Sequence, residues 1–481
     1  MADIILIQPN VGNWDKVRSH PAIPLALLSA SRLLAKDFNI VLIDQRTEKD
    51  WKARLIDELR QRPLCVGITS ITGKQIFYAL EAAKAVRLNS DIPIIWGGIH
   101  ATLLPDSTLE SEFVDILVNG EGEITFYEIV RALASGSPLE GIEGAWFKKQ
   151  GSFIKNRARE FCSLDELPPL PYHLVEMDKY LPKFKGRRTL YMESSRGCPN
   201  QCTFCYNQVY SGRKWRAISA ARVIEEIKEA AAKYGIKSFY LVDDNFFVDL
   251  PRFRKIAEGL IHSGLDIIWE AQGITIQSAL KMNEDDLDML EKSGCKKLHF
   301  GIETGSEKIM KLIKKNIKIS EILEINRKFK KVNIVLQYNF MAGFPDEEHA
   351  DIRKTVDLIW ELTRENKKAI ISPICPYTPY PGTEIFQKAL KQGFIKKNRL
   401  EDWDDTNYGN SLWESRDKSS FLNALFFTSM FLDLHRLKDM LDNPLYKTLI
   451  YFYRPIARFR VRKLFFKFMP EYALSSIIIN E

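Results

Sequence analysis

The chain has 481 residues, with 45% hydrophobic and 27% charged content and a net charge of +7. These values describe an ordinary globular chain long enough for two to four packed domains, and they exclude disordered, fibrous and disulfide-scaffold classes. Seven cysteines, four of them scattered singly (Cys65, Cys162, Cys295, Cys375), and no basic, long-apolar start point to a reducing, cytoplasmic setting without a signal peptide or a membrane span.

Residues 1–140 alternate short β-branched runs with helical patterns. DIILIQP (3–9), NIVLID (39–44), LCVGITS (64–70), PIIWGG (93–98) and DILVNGE (115–121) read as buried parallel strands joined by crossover helices. That is a doubly wound α/β sheet of the Rossmann or flavodoxin kind, whose ligands bind beyond the carboxyl ends of the strands. The strand-end loops hold Asn10, Ser70-Ile71-Thr72, Gly97-Gly98 with His100, and Gly120-Glu121. Glycines there let backbone approach a ligand closely.

These loops resemble those of cobalamin-binding domains, in which a Ser-containing turn and a later Gly-Gly line the slot for the cofactor's nucleotide tail. The resemblance implies cobalamin binding through Asn10, Ser70, Ile71, Thr72, Gly97, Gly98, His100, Gly120 and Glu121. One element departs from the pattern. The Asp-x-His-x-x-Gly run that supplies a lower cobalt ligand is absent from NVGNWDKVRSHP after the first strand, so cobalamin would lack that histidine. His100 is expected as a loop histidine near the ligand rather than a metal ligand. A flavodoxin-like domain without a cofactor is the alternative.

Residues 141–187 read as a linker. GAWFKKQGSFIKN has a hairpin pattern with Gln-Gly at its turn, and the proline-rich DELPPLPYHL follows as an extended connector. Residues 188–400 then carry six strand–helix units, with strands at 189–195, 238–244, 267–273, 297–303, 335–343 and 369–376. Six are too few for a closed eight-fold barrel.

The loop after the first of these strands reads SSRGCPNQCTFCYNQ, with Cys198-x-x-x-Cys202-x-x-Cys205. Three closely spaced thiolates suit a soft metal or an iron–sulfur cluster. A four-iron cube takes four cysteines as a rule, so three leave one iron open. Structural zinc wants four ligands in paired spacings, and no second cysteine pair follows.

This segment closely resembles the cysteine loop of the radical S-adenosylmethionine (SAM) enzymes. The resemblance implies a partial (β/α)6 TIM barrel with its active face at the carboxyl ends of the strands. It also implies a [4Fe-4S] cluster on Cys198, Cys202 and Cys205 that binds and reductively cleaves SAM. Motif by motif it extends to Tyr206 beside the cluster, with a core aromatic as the equal alternative. It extends further to Asp243-Asp244-Asn245 for the SAM amino group, to Glu270 and Gln272 at the end of the third strand, and to Glu303 and Ser306 in a Gly-x-Glu-x-Gly-Ser element at the end of the fourth. Each could singly be an ordinary strand-to-helix turn with an N-cap; their order is what carries the resemblance, over about residues 1–400.

With both halves together, the chain resembles the cobalamin-dependent radical SAM group that includes the anaerobic magnesium-protoporphyrin ester cyclase. That implies methyl transfer to an unactivated carbon, with a cobalamin-using cyclisation or rearrangement as the alternative and a non-catalytic metal- or cobalamin-binding protein as a third. The expected partners are a small-molecule or lipid-like substrate and an electron donor such as a flavodoxin or ferredoxin. No catalytic side chain is assigned.

Residues 401–481 read as a helical extension. FLNALFFTSMFLDLHRLKDML has an amphipathic helical pattern, and residues 445–470 interleave seven Lys and Arg with aromatics and contain no acid. Pro455 is expected to break any helix there. Basic amphipathic stretches lie on anionic membrane surfaces, which would make a cytoplasmic protein peripheral to the membrane. A solvated face covering the barrel is the plainer alternative, and nucleic acid the least expected partner.

Overall fold

A computed structural model describes residues 2–12, 15, 20–403, 411–433, 444–469 and 471. The chain forms two compact units.

The first unit is built on a seven-stranded sheet of order β2-β1-β3-β4-β5-β6-β7. Strands β1 (Ile4–Gln8), β2 (Ile40–Asp44), β3 (Cys65–Thr69), β4 (Ile94–Gly97) and β5 (Ile116–Val118) run parallel, as their β-branched runs predict. β1 and β3 are buried at every position, because helices cover both faces of a doubly wound sheet. The hairpin β6 (Ala145–Lys149) and β7 (Ser152–Lys155) forms where Gln150-Gly151 marks it, and it adds antiparallel to β5 rather than standing in a free linker. Both turn residues have positive φ, +50° and +78°.

The core over one face of this sheet is dominated by Ile, Val and Ala from the strands and from the helix Gln75–Asn89. It also receives Leu400 and Trp403, so a segment distant in sequence completes it.

The second unit holds a second seven-stranded sheet, of order β16-β15-β14-β13-β12-β9-β8. Its six parallel strands are β9 (Arg187–Met192), β12 (Ser238–Leu241), β13 (Ile268–Ile274), β14 (Cys295–Glu303), β15 (Val335–Ala342) and β16 (Ile370–Pro376), with the short β8 (Lys183–Phe184) antiparallel at the edge. A two-stranded ribbon, β10 (Ser195–Arg196) with β11 (Arg216–Ala217), closes the cysteine loop. This is the expected six-unit partial barrel.

Amphipathic helices follow the strands. Glu284–Lys292 starts with a capping box between Asn283 and Asp286. Helix α1 (Ile319–Phe329) lays Phe329 against Phe300, and α2 (His349–Glu365) follows β15.

The extension contributes α3 (Arg416–Ser429), capped by the Ser415 side chain, and α4 (Pro444–Lys463). The predicted break at Pro455 does not occur: α4 runs through it. An internal proline removes one hydrogen bond and crowds the carbonyl four residues earlier, costing about 3 kcal/mol. Packing of Ile450, Ala457 and Val461 offsets it. Residues 434–441 of the predicted amphipathic helix lie outside the described residues. Among the described residues no helix is long and apolar enough to cross a membrane.

Candidate cluster and cofactor sites

In the first unit the predicted cofactor loops gather at the carboxyl ends of β1, β3, β4 and β5. Ser70 ties two of them: its N–H and Oγ both donate to the Gly97 carbonyl, at 2.9 and 3.0 Å, and its own carbonyl accepts from His100 N–H at 3.1 Å. Gln75 links two more, accepting from Ile71 N–H at 2.7 Å and donating to the Pro9 carbonyl at 3.4 Å. Asn10 N–H donates to Gln45 Oε1, and Gly120 N–H to Thr102 Oγ1, each at 3.0 Å. Glu121 stands at the N-terminus of the helix Gly122–Ser135.

Gly98 is required by close approach. Its φ is +96°, and a β-carbon there would meet Ser70 O at 2.6 Å and Ser70 N at 2.9 Å. Gly98→Ala is therefore expected to cost about 1–3 kcal/mol in strain alone. Gly97→Ala, whose added carbon meets only Val118 Cβ at 3.6 Å, should be near neutral. Equal losses for the two in urea unfolding would refute this account.

His100 is not a loop residue, because Gly98 starts a short helix (Ile99–Leu103) that carries it. It is fully buried, with Nδ1 3.0 Å from Thr72 Oγ1 and its ring edge-on to Trp403 at 5.5 Å. Its Nε2 is buried without a hydrogen-bond partner. Burial pushes its pKa down from 6.5 to about 3, so it stays neutral in the folded chain. The unfolded chain takes up a proton below pH 6.5 that the folded one refuses. Stability is thus lost as pH falls from 6.5 towards 3, by up to about 1.4 kcal/mol per pH unit. His100→Phe should flatten the urea-midpoint profile over that window; an unchanged slope would exclude this histidine as its source.

In the second unit the cysteine loop leaves β9 and is held from several sides. Asp243 accepts from Ser194 N–H at 2.8 Å, Ser194 Oγ at 2.7 Å and Ser195 Oγ at 2.5 Å. Gly197 turns the chain at φ +81°, where a β-carbon would lie 2.0 Å from Lys214 O, and its N–H donates to Asp244 Oδ2 at 2.8 Å. Thr203 N–H and Oγ1 donate to the carbonyls of Ile313 and Leu312, and Cys205 N–H donates to Cys202 O at 3.1 Å.

All three cysteines are free and partly exposed. Burial pushes the Cys202 thiol up and the Cys205 thiol up to about 12. Such thiols need a cationic partner to ionise, which is the chemistry of metal ligation. Asn245 Nδ2 lies 3.5 Å from Cys198 Sγ, and the Lys315 ammonium acts on Cys202 and Cys205. Among the described residues no group of three or more His, Cys, Asp or Glu is gathered around a point that could hold a single ion. The donor set, three thiols on one braced loop, suits an iron–sulfur cluster with one open iron.

Of the residues expected at SAM, several border this loop. Asp244 and Asn245 do so through the contacts above, and Tyr206 packs edge-on to Tyr380 at 5.6 Å. Gln272 accepts from Tyr240 OH at 2.9 Å. Glu303 has its backbone in the left-handed region (φ +72°), and its carboxylate Oε1 lies 3.0 Å from Lys315 Nζ.

Two residues are placed differently. Asp243 is fully buried with both oxygens engaged by the serines, so it braces the loop instead of meeting a ligand. Burial pushes its carboxyl up to about 6. Ser306 is also fully buried, and its Oγ donates to Asp351 Oδ1 at 2.6 Å, at the start of α2.

The sequence reading missed Lys315 and, Glu270 apart, a polar row inside the sheet. Tyr191, Tyr240, Glu270, Lys297 and His299 share one face by register, opposite the face on which Phe300 packs against Phe329 and Tyr338. His299 Nε2 and Lys297 Nζ lie 3.2 and 2.7 Å from Glu270 Oε2. Burial works against the charge of Glu270, but the His299 hydrogen bond and the Lys297 ammonium hold its carboxyl below the usual range. Alternation of polar residues in 297–299 and 335–341 was the available signal.

Comparison with known proteins agrees with this layout. Residues 192–359 match the radical SAM superfamily model and residues 17–130 the B12 binding domain model. The chain is 30% identical over 398 residues to an uncharacterized methyltransferase of Pyrococcus horikoshii, covering 82% of this chain and 84% of that protein. It is 25% identical over 401 residues to the anaerobic magnesium-protoporphyrin IX monomethyl ester cyclase of Cereibacter sphaeroides, covering 81% of this chain and 64% of that one. In fold it is similar to the cobalamin-dependent SAM radical enzyme OxsB (TM-score 0.73, 19% identity), over 96% of this chain and 72% of the other.

Proposed function

The chain belongs to the radical SAM enzymes that carry a B12-binding domain, and from that premise we propose that it is a cobalamin-dependent methyltransferase acting on an unactivated carbon. One observation carries the reading. A braced three-thiol loop lies at the end of the first barrel strand, in a chain whose other unit presents cobalamin-type loops without the lower-ligand histidine. The methyltransferase among the relatives supports methyl transfer, and the cyclase among them is the reason for a second reading, ring formation without methyl transfer.

Cys198, Cys202 and Cys205 would hold the cluster, and Asp244, Asn245, Glu303 and Lys315 the polar ends of SAM. Ser70, Gly97, Gly98 and Gly120 would line the cobalamin slot. When bound, these groups supply a 5′-deoxyadenosyl radical and a transferable methyl. The chain's own contribution is placement. Asp243 and Thr203 fix the thiols, and the Glu303–Lys315 pair keeps matched charge beside them. The polar row of Tyr240, Glu270 and His299 gives the inner face of the sheet hydrogen-bonding groups for a small-molecule substrate. An electron donor such as a flavodoxin or ferredoxin belongs to the same reading.

Anaerobic reconstitution should give about four irons per chain and SAM-dependent formation of 5′-deoxyadenosine, and the purified protein should carry corrinoid absorbance. With methyl-labelled SAM and candidate substrates, label in the product supports methyl transfer. Product without label supports ring formation, and the absence of both iron and cleavage would leave only a binding protein.

A further inference from the structure

The C-terminal helix α4 has apolar residues on two sides. Ile450, Ala457 and Val461 are buried, and the helix end is held by Arg353 of α2, which donates to the carbonyls of Arg462 and Lys463. The opposite side should then be polar. Instead Phe452, Ile456 and Phe459, spaced i, i+4, i+7, are 70, 50 and 57% exposed. Of fifteen large hydrophobic residues exposed among the described ones, six lie between 451 and 468, so the apolar surface is concentrated there and not scattered.

Beside this ridge Arg454, Arg458 and Arg462 form a second stripe, spaced i, i+4, i+8. They line a cavity of about 630 Å³ with Trp360 and Arg364 of α2 and Lys367 just beyond it; Asp357, Glu361 and Asp433 line it too. The Arg458 guanidinium sits over the Trp360 ring at 5.4 Å. Burial, with Arg454 and Arg462 adding like charge, pushes Arg458 below its ordinary range. Arg454 Nε is buried without a partner. A cationic stripe of this kind, bordering an exposed aromatic ridge and free of acids on its own helix, matches an anionic lipid interface.

We infer that α4 is a membrane-surface element, with Phe452, Ile456 and Phe459 entering the headgroup–acyl boundary and the Arg454–Arg458–Arg462 cavity receiving the phosphate of an anionic phospholipid. The assignment does not depend on the catalytic reading.

Full-length protein sedimented with vesicles of equal parts phosphatidylglycerol and phosphatidylcholine should bind, and binding should fall with added salt and on pure phosphatidylcholine. Phe452→Ser/Ile456→Ser/Phe459→Ser and Arg458→Glu/Arg462→Glu should each weaken the partition at least about tenfold. Both sets are solvent-facing, so thermal midpoints should stay close to wild type and SAM cleavage should persist. No vesicle binding by wild type, or binding by both variants as tight as wild type, overturns the inference. So does a concentration-dependent dimer or duplex-RNA binding lost in the variants while vesicles bind none of the proteins.

Discussion

Cys202→Ala is expected to reduce bound iron after anaerobic reconstitution from about four per chain to near zero and to abolish 5′-deoxyadenosine formation. The thiol is part of a loop held by contacts that the substitution leaves in place: Gln208 Nε2 and Cys205 N–H both use the Cys202 carbonyl, not its side chain. Loss of iron would therefore reflect a lost ligand and not a lost loop. Cys65 and Cys295 are fully buried in the sheets, and burial pushes the thiol of each up, Cys65 to about 12. Cys65→Ala and Cys295→Ala should keep their iron while costing about 1 kcal/mol of packing. SAM cleavage retained by Cys202→Ala, or iron lost equally in all three, would refute the ligand assignment.

Lys315→Met should destabilise the chain before any cofactor is added. The Lys315 and Glu303 side chains are only 14 and 11% exposed. Burial opposes the ammonium, yet the Glu303 carboxylate holds it charged, above its ordinary range. Removing one partner of such a pair strands the other, at about 3–5 kcal/mol. Lys315→Met/Glu303→Gln should recover most of that loss, because no buried charge then remains. Urea unfolding of the four proteins in a double-mutant cycle measures the coupling. A double variant as unstable as the sum of the singles would show that the pair does not interact as described.

The two outcomes separate what was legible in the sequence from what was not. The cysteine spacing and the parallel strands are local patterns, and a spacing of three and two residues is the same in the chain as in the fold. Asp244 and Glu303 were proposed from their place at the carboxyl ends of β12 and β14, which the sequence pattern marks. Lys315 was not, since it reaches the thiols through a turn in which Lys314 and Asn316 both adopt positive φ without being glycine. Asp243 and Ser306 share motifs with open-site residues. Their partners, Ser194 and Asp351, lie 49 and 45 residues away, and only those partners reveal that the groups are spent. Pro455 was misjudged for the same reason, because propensity is local and the packing that overrides it is not.

Trp403 and Leu400 fill the core of the first sheet, although more than two hundred residues of the second unit are made before them. During synthesis the first sheet can pair its strands early, but it must wait for the ribosome to finish the entire second sheet before its last aromatic arrives. Chains halted at residue 395 should accordingly remain protease-sensitive around His100, and those extended past Trp403 should not; equal sensitivity would mean that the late segment only decorates a core already closed.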